Sequence, residues 1–169
     1  EYEANAKTSW SNVESSYQRR NDLIGNLIKT VQGAADFEKT TLTQVIEARA
    51  KATSTTIDAS NLTADNMAQF QQAQSGLSGA LSKLLVSVER YPELKANQNF
   101  LELQSQLEGT ENRINVARDR YNEKVNIYDI HTTKFPGKFL AGLFGFEEMP
   151  RYKADAGSEN APDVEFDFN

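Results

Sequence analysis

Apolar residues recur every seven positions along several stretches of this chain, and the longest of these runs from Phe100 to His131. Phe100, Leu107, Ile114, Tyr121 and Tyr128 form one row; Leu103, Thr110, Ala117, Lys124 and His131 form a second row, apolar early and polar later. Val125 and Ile130 widen the stripe. That spacing places one apolar seam along a single helix roughly 50 Å long, which other helices must cover.

The covering helices are visible upstream. From about Tyr2 to Gln32, Trp10, Tyr17, Ile24 and Val31 form one row, and Val13, Arg20, Leu27 and Ala34 the other. Gly25 weakens this helix and Gly33 ends it, with a turn near Gly33–Asp36. A second helix, from about Asp36 to Thr53, carries a thinner stripe of Leu42, Val45, Ile46, Ala48 and Ala52 with Arg49 among them. Ser54 to Asn61 is polar, rich in β-branched and turn-forming residues, and reads as a loop. A third helix opens with Thr63 as N-cap, Asp65 at the positive end of the dipole, and Leu62 and Met67 placed as a hydrophobic staple. Its rows are Met67, Gln74, Leu81, Val88 and Phe70, Leu77, Leu84, Tyr91, with small Ala73, Gly76 and Ala80 permitting close approach. Pro92 disfavours helical geometry at Tyr91 and should stop it there. The turn PELKAN leads to the long helix, with Asn97 and Asn99 as rival caps, and Pro136 should end that helix near Lys134. PGKFLAGLFGF then reads as one or two aromatic helical turns, and an acidic tail follows Lys153. The fold expected is all-α, an antiparallel up-down four-helix bundle with a short C-terminal helix. Residues 1–153 form its single domain, and 154–169 are the acidic tail, either mobile or laid on the bundle as an extended segment.

Composition narrows the function. The 169 residues suit one domain, 38% are hydrophobic, and no run is long and apolar enough to span a bilayer. The net charge of −6 and the lack of a basic stripe argue against nucleic acid as partner. With no cysteine and one histidine, thiol chemistry is excluded and a Glu-x-x-His di-metal site cannot be assembled, so neither cofactor nor metal is expected. The residue three before His131 is Tyr128, and a histidine at a helix end ordinarily meets the last carbonyls. GKF at Gly137–Phe139 lacks the upstream glycine and the Ser/Thr of a P-loop. No catalytic residues are expected.

Two constellations remain. Arg20, Asn26, Glu111, Arg118 and Asn122 could meet as a polar layer that fixes helix register, against the plainer reading of solvated surface groups. Phe135, Phe139, Leu140, Leu143, Phe144 and Phe146 are either a lid packed over one end of the bundle or an exposed patch for a membrane or a protein partner.

RRNDLIGNLIKTVQG at Arg19–Gly33 resembles the RR-x-DL-x-x-NL signature of the LemA family. Arg90–Val125, with YPELKA, FLELQSQL, TENRI and ARDRYN, resembles the same family, as does FPGKFLAGLFGF. The likeness covers about Trp10 to Tyr152, although Asp129 stands where the family commonly has Asn. It implies a helical bundle in a bacterial membrane protein, tethered by one N-terminal hydrophobic helix that would precede Glu1, with the domain itself soluble. It implies no established enzymatic activity. The expectation is therefore a non-enzymatic, membrane-tethered module that scaffolds an unidentified protein partner, or alternatively a membrane-surface module that uses the aromatic 135–146 segment.

Overall fold

The computed structural model describes residues 1–153 apart from 35 and 135. Phe135 and the acidic tail, with both readings of that tail, lie outside the described residues. What is described is all-α, and no strand occurs among those residues. The elements are α1 (Tyr2–Gln32), α2 (Lys39–Ser54), a 3₁₀ turn at Ala59–Asn61, α3 (Ala64–Val88), α4 (Pro92–Lys95), α5 (Gln98–Thr133) and α6 (Gly137–Phe144).

The 36 residues of α5 make a rod of roughly 54 Å. Helix α1 lies against it in the opposite direction: Tyr2 meets His131, Trp10 meets Tyr121, and Arg20 meets Glu111. Helix α2 packs on α3 and on α1, and the Arg49 Nε donates to the Asn21 carbonyl at 2.8 Å. The first seven-residue rows of α1 and α5 face inward as expected, whereas the second row of α5 ends at an exposed His131. Trp10, Tyr17, Ile24 and Val31 are buried, as are Phe100, Leu107, Ile114, Tyr121 and Tyr128.

The local signals at helix ends hold in detail. Thr63 Oγ1 accepts from the Asn66 amide, and Asn97 rather than Asn99 caps α5 by accepting from the Phe100 amide at 3.1 Å. Two boundaries and one buried face differ from the sequence expectation. Helix α2 starts at Lys39, three residues late, because the chain first turns to bury Phe37 against the Tyr91 ring. Helix α3 ends at Val88, since Pro92 keeps Tyr91 out of helical geometry and then opens its own helical turn at PELK. On α5, Ile130 is exposed and Asp129 is buried in its stead, because an arginine reaches Asp129. Gly76 faces open space rather than a close neighbour.

The core has two parts. One, around Ile24, Leu27, Val31, Leu77, Leu84 and Val88, is almost wholly aliphatic. The other, around Trp10, Tyr17, Phe70, Tyr121 and Tyr152, is rich in rings. At the turn from α5 into α6, Gly137 rests against the His131 carbonyl so closely that a Cβ would collide with it. Gly145 then closes α6 in the left-handed region at φ 71°, as a glycine C-cap does.

Candidate functional site

Three features stand out along the long axis. The first is a polar girdle between the two halves of the core. Arg20 follows Tyr17 on α1, Gln74 follows Phe70 on α3, and Glu111 lies between Leu107 and Ile114 on α5. Arg20 is only 3% exposed. Its Nη1 donates to Ser78 Oγ at 2.8 Å and to Glu111 Oε1 at 3.1 Å, and its Nη2 to the Gln74 carbonyl and side-chain oxygen. The guanidinium also lies over the Tyr17 ring, 4.9 Å from its centroid. Of the five residues expected in a polar layer, Arg20 and Glu111 meet. Asn26 is exposed on α1, and Arg118 and Asn122 turn instead to a different segment. Gln74 and Ser78 complete the girdle; Gln74 sat in plain view on a core row of α3, a polar residue among apolar ones.

The second feature is that segment, Glu147–Lys153, an extended strap laid across α1, α3 and α5. Tyr128 Oη donates to the Glu147 carbonyl at 2.6 Å and Tyr121 Oη to the Pro150 carbonyl at 2.7 Å. Asn122 holds both backbone groups of Tyr152: its Oδ1 accepts from the amide at 2.8 Å and its Nδ2 donates to the carbonyl at 3.0 Å. Gln71 and Arg118 both donate to the Lys153 carbonyl. The Tyr152 ring is buried beside Trp10 and Tyr17, shares a 2.8 Å hydroxyl–hydroxyl bond with Tyr17, and lies 4.1 Å under the Arg118 guanidinium. Arg151 binds Asp129 Oδ2 at 2.8 Å. Burial pushes the phenol pKa of Tyr17, Tyr121 and Tyr152 upward, so these hydroxyls stay protonated near neutral pH. Sequence reasoning missed the strap. The one available signal was a tyrosine between Arg151 and Lys153, just after Pro150.

The third feature is the pole formed by α6. The sequence left open a packed lid or an exposed patch, and the structure shows exposure. Phe139 is 72% exposed, Leu143 and Phe144 are 69% each, Leu140 and Phe146 are also exposed, and only Ala141 is buried. A small apolar cleft of ≈ 220 Å³ at this pole is lined by Tyr2, Tyr128, His131, Leu140 and Phe144 among others. Tyr2 stacks on His131 with centroids 4.1 Å apart. Helix α1 thus starts beside α6. Among the described residues no cluster of His, Asp and Glu suits a metal ion, and no helix is long and apolar enough to cross a membrane.

Among the described residues the architecture is an all-helical domain with an apolar pole. The sequence profile of the LemA family matches residues 9–166, and the chain belongs to the LemA family. It is also similar to magnetosome protein MamQ 2 of Paramagnetospirillum magneticum, 27% identical over 160 residues that cover 85% of this chain and 59% of that protein. MamQ of Magnetospirillum gryphiswaldense is 26% identical over 161 residues, with the same two coverages. The chain therefore spans less than two thirds of the length of these relatives.

Proposed function

We propose that this domain is a non-catalytic, membrane-tethered module that rests on a bilayer surface through α6. The single observation that carries the reading is the exposure of Phe139, Leu140, Leu143 and Phe144 on one short helix. An apolar patch this concentrated on a small domain marks a surface meant to be covered. Two further features support a bilayer as the cover. Helix α1 begins at the same pole, where Glu1 and Tyr2 border the α6 cleft, so an N-terminal tether of the kind the family likeness implies would hold this pole against the membrane. The antiparallel run of α1 on α5, and of α2 on α3, supports an up-down four-helix bundle standing on that pole.

Arg151 is paired with Asp129 and Lys153 lies at the far end of the strap, which leaves Lys134 and Lys138 against Glu147 and Glu148, so the attraction is apolar rather than electrostatic and should persist in salt. Transfer of one Phe side chain from water to an apolar medium is worth about 1.5–3 kcal/mol. Flotation with neutral phosphatidylcholine vesicles tests the proposal. The parent chain should float, and Phe139→Ser with Phe144→Ser should leave it in the dense fraction. No flotation by the parent, or equal flotation by the double variant, overturns the reading. Scaffolding of a protein partner through the same helix would then be the reading that survives.

A further inference from the structure

The strap is attached to the helices chiefly through its backbone. Tyr121, Asn122, Gln71 and Arg118 all bind main-chain groups of Pro150 to Lys153, and Asn122 pairs with both the amide and the carbonyl of one residue, as a neighbouring β-strand would. This is the logic of extended-peptide recognition: main-chain bonds supply affinity and side-chain slots supply selectivity. Two slots are present. The Trp10–Tyr17 slot under Arg118 takes one aromatic ring, and Asp129 takes one guanidinium. The groups named in these contacts belong to α1, α3 and α5, so the helices alone supply the walls of the groove.

The groove does not tolerate being empty. Asp129 Oδ1 is already buried without a hydrogen-bond partner, and losing Arg151 would leave the whole carboxylate without its cation. An unfilled ring slot would leave a cavity beside Trp10. The occupant, by contrast, leaves its upstream side chains in solvent, with the Glu147 carbonyl as its tie to Tyr128. Gly145 to Glu148 are exposed, and the hinge is a glycine in the left-handed region. A site that demands an Arg-Tyr segment, next to a hinged Arg-Tyr segment, can be filled by an identical segment from elsewhere.

We propose that this groove is a recognition site for an extended arginine–tyrosine segment, and that its partner in trans is Met149–Lys153 of a second copy of this chain. The tethered strap competes at an effective concentration on the order of millimolar, so a dilute parent chain keeps its own strap and stays monomeric. Exchange sets in when chains are crowded or when the resident strap is weakened.

The test uses the full chain and a capped, fluorescein-labelled peptide with the sequence Met149–Lys153. Arg151→Glu places like charge against Asp129 and loosens the resident strap without cutting into the core. The peptide should bind this variant at least tenfold more tightly than the parent. Binding should be lost when Asn122→Ala is added or when the peptide carries Ala in place of its tyrosine. In sedimentation equilibrium, Arg151→Glu mixed with Asn122→Ala, one with a receptive groove and the other with a free native strap, should form a one-to-one dimer that neither forms alone. Equal peptide binding to parent and variant, no binding to either, or a mixture that stays monomeric overturns the proposal. Circular dichroism checks that the helices are intact; should Arg151→Glu melt, Arg151→Ala removes the contact without adding repulsion and replaces it in both arms. The bilayer reading enters neither arm, so the two fail separately.

Discussion

The halves of the core on either side of Arg20 are made of different materials, and each material governs what the surface above it can hold. Beyond Arg20 toward α2, the interior is mostly leucine, isoleucine and valine with Phe37 and Phe100, and apart from Phe37 in the α1–α2 turn helices close it. On the α6 side, the interior is Trp10, Tyr17, Phe70, Tyr121 and Tyr152, and closure needs a non-helical strap. Aliphatic side chains end in methyl groups and offer a neighbour only packing. Tyrosines end in hydroxyls that need partners when buried, and here Tyr121 and Tyr128 find them in carbonyls of the strap. A ring-built half can therefore recruit an irregular segment that an aliphatic half could not hold.

The strongest challenge to this division is a paired truncation. Trp10→Ala should cost about 3–5 kcal/mol and Leu84→Ala about 2–5 kcal/mol, both being fully buried. If the halves unfold as one unit, urea titrations followed by tryptophan fluorescence (for Leu84→Ala) and by circular dichroism will each show a single transition. Two separated transitions would make the girdle a boundary between independently folding parts.

Alkali should next separate the halves by chemistry. Burial raises the pKa of Tyr17, Tyr121 and Tyr152 in the folded chain above the unfolded value of about 10. The folded state thus keeps protons that the unfolded chain releases, and the stability due to these phenols, constant at lower pH, should fall as the pH climbs past about 10. Urea midpoints between about pH 8 and pH 11 measure the fall, and Tyr152→Phe should make it shallower. Leu84→Ala should leave its slope unchanged.

Glu111→Ala probes the girdle itself. It removes the carboxylate facing a buried guanidinium, and because Glu111 is half-exposed the loss should be modest, about 1–2 kcal/mol or about 2–8 °C in Tm. An unchanged Tm would mean that Ser78 and Gln74 suffice to satisfy Arg20. The smallest effect belongs to the exposed pole. Phe139→Ser should alter Tm by less than about 0.5 kcal/mol equivalent, since its ring packs on little. A large drop would show that α6 is part of the core.

Most of the helical framework was legible because its signals are local. Heptad rows in α1 and α5 fix which face is buried, Thr63 and Asn97 mark helix starts, and Pro92 and Pro136 mark stops. What escaped the sequence depends on contacts between distant segments. Asp129 is buried and Ile130 exposed because Arg151, 22 residues on, reaches back to the former. Arg118 and Asn122 bind a strap whose polar groups are mostly backbone, and backbone groups carry no sequence signature. Asn26 and Glu111 are equal candidates in the sequence for the polar layer, yet of the two Glu111 is the one that lies opposite Arg20.

The turn at Gly137 has a mechanical consequence. Because a Cβ at Gly137 would collide with the His131 carbonyl, any side chain there would have to push α6 away from the end of α5. A spin label or fluorophore on α6, compared between the parent and Gly137→Ala, would read that displacement against the roughly 54 Å rod of α5.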